Sequence, residues 1–140
     1  MYKKILIPTD GSEKSKDTIS RLMNVMSKTE GEVIILAVAE TITPHHFQSK
    51  RKIAELNDMI TDDAKEDAID LKNMMDDSIK VTTKVETGRP ADAIIDFAER
   101  EKIDLIIIPT SGKSSLDKFR LGSVAEKVVS GSDADVLVIH

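Results

Sequence analysis

Four short aliphatic runs constrain this chain more than any other feature: KILIP at Lys4–Pro8, VIILAV at Val33–Val38, LIII at Leu105–Ile108 and VLVI at Val136–Ile139. None of them alternates with polar residues. A strand that is apolar on both faces has to be covered on both, which is the situation of a parallel sheet between two layers of helix. A fifth segment, about Ile79–Thr87, does alternate, with Ile79, Val81, Thr83, Val85 and Thr87 on one parity. That period of two predicts a half-buried strand at a sheet edge.

Helical spacing fills the gaps. One helix is predicted from Ser12 or Glu13 to about Ser27, carrying Ile19, Leu22, Met23 and Met26. A longer one, from about Ser49 to Met75, repeats Ile53, Leu56, Ile60, Ala64, Ala68, Leu71 and Met75 at gaps of three and four, tracing one helix face. Pro90 suits the first position of a helix reaching about Arg100. The last helix opens at Gly122-Ser123, with Glu126 three residues on, a capping-box pattern. The order β-α-β-α-β-α-β-α-β predicts a single domain over residues 1–140, α/β in class: a flavodoxin-like or Rossmann-like three-layer α/β/α fold. Its five parallel strands are expected in the order 3-2-1-4-5. Sheets of this kind bind ligands beyond the carboxyl ends of the strands where the order reverses, here between the first and fourth strands. Those ends read Pro8-Thr9-Asp10-Gly11-Ser12 and Pro109-Thr110-Ser111-Gly112.

The stretch IIIPTSGKSS from Ile106 contains Gly112-Lys113-Ser114, the end of a P-loop. A Walker A loop needs an earlier glycine so that amides can wrap the phosphates, and position 107 is Ile107. The P-loop reading fails. What remains is Gly112, nine residues, then Gly122-Ser123 at a helix start. Free amides and the positive end of a helix dipole make an anion site, and Gly112 lets backbone approach closely. Lys113, Lys118 and Arg120 in the loop add positive charge. Asp10, at the end of the first strand, either accepts from a ribose or adenine group or caps the first helix in competition with Ser12.

Composition narrows the partners. A net charge of −5 argues against a general nucleic-acid or membrane surface. No cysteine is present, which removes disulfides, thiol catalysis and thiolate metal sites. No run approaches the ~18 apolar residues of a membrane span, so a cytoplasmic protein is expected. The aromatic residues are few: Tyr2, Phe47, Phe97 and Phe119, with no tryptophan.

The combination of PTDGS after the first strand, GRPADAI, and SGKSSLDKFRLGSVAEKVV resembles the universal stress protein family, over nearly the whole chain from Lys4 to Ile139. The resemblance implies a stress-response regulator binding an adenine nucleotide, ATP or AMP, with Mg2+ or Mn2+ carried by the phosphates. It implies Asp10 and Val38 against the adenosine, and Pro8 and Thr9 on the same wall. The nucleotide-binding branch carries G-x-x-G, nine residues, then G-[ST]; Gly112, Gly122 and Ser123 occupy its last three positions, with Lys113 and Val124 adjoining them. The first glycine of that pattern is Pro109 here. Proline brings a ring and removes an amide, so weakened or altered binding is expected.

No catalytic constellation is visible. His45-His46 is an adjacent pair without a third metal ligand, and His140 is terminal. Slow metal-assisted ATP hydrolysis stays open, but no residue makes a persuasive base. A receiver domain would need an acidic cluster, and its third strand would not end Thr87-Gly88-Arg89. A flavodoxin would need rings to stack on flavin. The competing reading is a dimeric protein-interaction module of the same fold that binds no nucleotide. Residues 50–77 hold nine Asp or Glu against five Lys or Arg, most simply a solvated helix face and alternatively a docking surface for a basic partner. Under either reading a homodimer is expected through the last strand, Asp135, Val136, Leu137, Val138 and Ile139, whose edge bears no gatekeeping lysine or proline.

Overall fold

The computed structural model describes residues 2–26, 31–46, 49–110 and 122–140. The elements follow in the order β1 (Lys4–Thr9), α1 (Glu13–Met26), β2 (Glu32–Ala39), α2 (Lys50–Asn73), β3 (Val81–Thr87), α3 (Pro90–Arg100), β4 (Leu105–Pro109), α4 (Ser123–Gly131) and β5 (Asp135–Ile139). All five strands lie parallel in one sheet of order β3-β2-β1-β4-β5, as the sequence predicts.

Continuous apolarity in the central strands is explained by two cores. Ile5, Ile7, Val33, Ile35, Leu105 and Ile107 point to one face, where Ile19 and Leu22 of α1 and Ala64, Ala68 and Leu71 of α2 close over them. Leu6, Ile34, Leu36, Ile106 and Ile108 point to the other, under Ala91, Ile94 and Phe97 of α3 and Ala125 and Val128 of α4. Each odd residue of β1 thus serves one layer and each even residue the other.

Helix ends follow local chemistry. Ser49 caps α2, its hydroxyl accepting the Lys52 amide at 3.3 Å. Pro90 opens α3 after Arg89, where a missing N–H is harmless. The capping box expected at α4 does not form: Gly122 is the N-cap, Ser123 the first helical residue, and no side chain caps the end. The Gly122 carbonyl already accepts the Glu126 amide at 2.9 Å, which leaves Glu126 one residue too far along to reach back. The third strand starts at Val81 rather than Ile79, because Asp76–Ile79 forms a turn closed by the Ile79 amide on the Asp76 carbonyl. At the amino edge of the sheet, the Asp104 carboxylate accepts the amides of Lys3 and Lys4 at 2.8 and 2.9 Å and is held below the usual carboxylate range, the Lys4 amide contributing most. Among the described residues no helix is long and apolar enough to cross a membrane.

Candidate functional site

The two seams of β1 differ. Against β2 it pairs at six positions, Lys4 through Thr9 with Glu32 through Ala37. Against β4 it pairs only at Ile5–Leu105 and Leu6–Ile106. Backbone direction explains this. The Lys3 carbonyl accepts the Glu32 amide on the β2 side, and the Lys4 carbonyl accepts the Asp104 amide on the β4 side. Successive strand residues alternate in this way, so Pro8 turns its backbone toward β4. In β4 the Thr110 amide goes to Ile139 of β5 at 2.9 Å, so Pro109 before it turns toward β1. Two prolines therefore face one seam and neither has an amide to donate. The ladder stops below them, at the topological switch point where sheets of this order form their ligand crevice. A proline inside a central strand is tolerated because its donor side is the open one.

The β1–α1 loop forms one wall. Thr9 is buried, its Oγ1 accepting the Gly11 amide at 3.1 Å. Asp10 is half-buried, and its Oδ1 accepts the Ser12 amide at 2.9 Å and the Ser15 hydroxyl at 3.1 Å. Ser12, whose hydroxyl accepts the Ser15 amide at 3.3 Å, caps α1, so the competition between the two is resolved in favour of Ser12. Gly11 is required twice over. Its φ is +76°, and a Cβ there would collide with the Asp67 carboxylate of α2.

The other elements complete the rim. Val38 is half-buried on the α3/α4 side, opposite Glu86 in the register. Thr110, 1% exposed, directly follows the fourth strand, and its carbonyl accepts the Gly122 amide. That bond joins the two described residues that flank 111–121. Gly112 and Lys113, both expected to contribute, lie outside the described residues. Ser123 is exposed at the first position of α4, and Val124 behind it packs into the α3/α4 core. The Gly122 amide is thus committed to Thr110, and the first-turn amides that follow it belong to Ser123, Val124 and Ala125.

Across the carboxyl edge the structure lines up Val38, then Pro8, Thr9 and Asp10, then Pro109 and Thr110, then Gly122 and Ser123. An apolar wall and a carboxylate acceptor at one end suit a nucleoside; a helix N-terminus at the other suits an anion. Among the described residues no group of three or more His, Asp or Glu side chains gathers to hold a metal. Sequence reasoning missed Thr110 as the anchor of the Gly122 amide and Asp67 as the neighbour of Gly11. Neither has a local signal, since both contacts depend on how distant elements pack.

The sequence profile of the universal stress protein family matches residues 1–140. The chain belongs to that family. Universal stress protein MJ0531 of Methanocaldococcus jannaschii is 32% identical over 140 residues, covering 99% of this chain and 82% of the relative. The solved structure of MJ0577, from the same organism, superposes with a TM-score of 0.82 at 33% identity, covering 99% of this chain and 96% of that one. The universal stress protein UspA of Lactobacillus plantarum superposes at 0.84 with 24% identity, over 99% and 98% of the two chains, a likeness of fold.

Proposed function

We propose that this universal stress protein binds an adenine nucleotide, ATP or AMP, in the crevice between β1 and β4, as a cytoplasmic stress-response regulator rather than by turnover. The observation that carries the reading is the β1–β4 ladder that ends below Pro8 and Pro109, with Asp10 on one side and the first turn of α4 on the other. Asp10 would accept from the adenosine, Val38 and Pro8 would pack against it, and Thr9 would hold the loop. Ser123 would offer its amide and hydroxyl to the phosphates, with Gly122 allowing close approach and Val124 anchoring the turn. Gly112 and Lys113 keep the roles their motif implies. A divalent cation would ride on the phosphates. Pro109 fits as a wall without a donor, so its ring narrows the crevice and lowers affinity.

Family precedent supports the class of ligand. Two structures of this fold, 22% and 15% identical, were solved with nucleotides: a universal stress protein in complex with cAMP, and one from Arabidopsis thaliana with AMP bound. The proposal extends to a homodimer through β5, Asp135 to Ile139. Support comes from Leu137, 43% exposed on the α1/α2 side of an edge strand with no outer neighbour among the described strands. A dimeric module without nucleotide is the second reading, favoured by the commitment of the Gly122 amide to Thr110.

Calorimetric titration of ATP and AMP, with Mg2+, into nucleotide-stripped protein tests this. The expected result is saturable binding that Gly122→Val abolishes, because a branched side chain at the N-cap of α4 removes the close backbone approach that glycine permits. Absence of binding in the parent, with binding restored in Pro109→Gly, would move the function to the interaction module.

A further inference from the structure

The described arginines are Arg21, Arg51, Arg89 and Arg100. Arg21 donates to the His140 carbonyl, Arg51 pairs with Glu55, and Arg100 pairs with Glu86 and lies over the Phe97 ring. The Arg89 side chain alone has no hydrogen-bond or ion-pair partner among the described residues, although its carbonyl accepts the Ala93 amide at 2.9 Å. It is exposed and occupies the N-cap of α3, in extended geometry and without a capping hydrogen bond. A cation beside the positive end of a helix dipole is unfavourable, and N-caps prefer Ser, Thr, Asp or Asn. No contact among the described residues accounts for an arginine there.

Its position does. The Gly88 amide donates to the Ala39 carbonyl at 3.1 Å, which pins the β3–α3 turn to the end of β2, one residue past Val38. Gly88 has φ +129°, so the turn is held by a conformation that few other residues adopt. Val38 packs on the same face of the sheet as α3. Arg89 therefore adjoins the end of the crevice assigned to the nucleoside, with β2 and β1 between it and the anion end at β4 and α4.

That end has no aromatic side chain among the described residues. Phe97 is 2% exposed in the core, and Tyr2 bonds to Asp135 at the amino edge of the sheet. A purine there has Val38 on one side and, among the described residues, no ring to stack on. Guanidinium is planar, weakly hydrated and stacks on aromatic faces, whereas ammonium is a compact, strongly hydrated charge. We infer that Arg89 is a specificity-determining residue that stacks on the nucleotide base opposite Val38. This deepens, and rests on, the reading of the crevice as a nucleotide site. Because stacking uses the base face, purines are preferred over pyrimidines, and the contribution is the same for adenosine, AMP and ATP.

The test titrates adenosine, AMP and ATP, then CTP, into the full-length parent, Arg89→Ala and Arg89→Lys. Arg89→Ala is expected to weaken adenosine, AMP and ATP alike, by roughly 5- to 30-fold. Arg89→Lys recovers little of the loss, and CTP binds the parent more weakly than ATP. Thermal unfolding of the free protein stays unchanged or rises, since a cation leaves a helix N-terminus. A parent that binds nucleotide while Arg89→Ala binds it equally overturns the inference and leaves the site standing. So does full rescue by lysine, or a loss that grows with the number of phosphates, either of which would assign Arg89 to phosphate pairing. A parent that binds none of the ligands overturns the nucleotide reading itself and this inference with it.

Discussion

The two seams of β1 are built from the same strand and end in opposite ways. On the β2 side the ladder runs to Thr9 opposite Ala37, and Ile5, Ile7, Val33 and Ile35 bury themselves under α1 and α2 without interruption. On the β4 side it stops after Leu6 opposite Ile106, where Pro8 and Pro109 turn donorless backbone toward each other. Burial is no weaker there, since Leu6, Ile106 and Ile107 are all nearly inaccessible. A site at a topological switch point thus needs no loss of core. Two missing amides end the ladder above that rung, while the aliphatic layers beneath keep the sheet whole.

The difference can be broken at several levels. Leu6→Ala and Ile106→Ala remove side chains at the last paired rung of the open seam, and each should lower stability by about 2–5 kcal/mol in urea unfolding. Ile35→Ala on the closed seam should fall in the same range. A clearly smaller loss at Leu6 or Ile106 would show that the open seam is loosely packed below the prolines. Gly11→Ala forces a side chain into positive φ and against Asp67, and should destabilise by about 1–3 kcal/mol. If the carboxylate is the obstacle, adding Asp67→Ala should return part of that loss. A smaller change is expected at the prolines. Pro109→Val supplies an amide facing the Pro8 carbonyl, and a new rung would contribute about 0.5–1.5 kcal/mol. Slow hydrogen exchange of the amide introduced by that substitution would report the rung. Fast exchange would show that the seam is held open by something else.

The smallest effect belongs to the amino edge, where Asp104 ties β1 to β4 through the Lys3 and Lys4 amides. Its folded pKa is depressed, so its stabilisation is present above the unfolded value near about 3.9 and is lost as pH falls through the folded value. Urea midpoints of the parent should therefore drop as pH falls below about 4. Asp104→Asn should flatten that slope. An unchanged slope would mean that the amides do not distinguish the ionised form.

Much of this architecture is legible in the sequence, for a simple reason. Val33–Val38 and Leu105–Ile108 have no polar face, so they fit only a sheet covered on both sides, and the gaps of three and four in α2 leave one helix face for the covering. Strand order follows from the β-α alternation and the α3 start from Pro90, whereas the apolar run of β5, which reads as a strand covered on both faces, lies at the edge with Asp135 and Leu137 exposed. The site is legible only as loops. That Pro8 and Pro109 face each other depends on strand order and backbone parity together. That Gly122 rather than Ser123 caps α4 depends on the Thr110 carbonyl capturing the Gly122 amide. Local motifs such as a capping box cannot register a partner twelve residues away.

The most direct test of the central claim is a titration of Mg2+–ATP into 15N-labelled, nucleotide-free protein followed by amide NMR. The account predicts saturable shifts at Asp10, Gly11, Val38, Thr110, Gly122 and Ser123, with Tyr2, Asp104 and Asp135 at the opposite edge unmoved. Saturable shifts elsewhere, or none at the β1–β4 crevice at millimolar ATP, would contradict it.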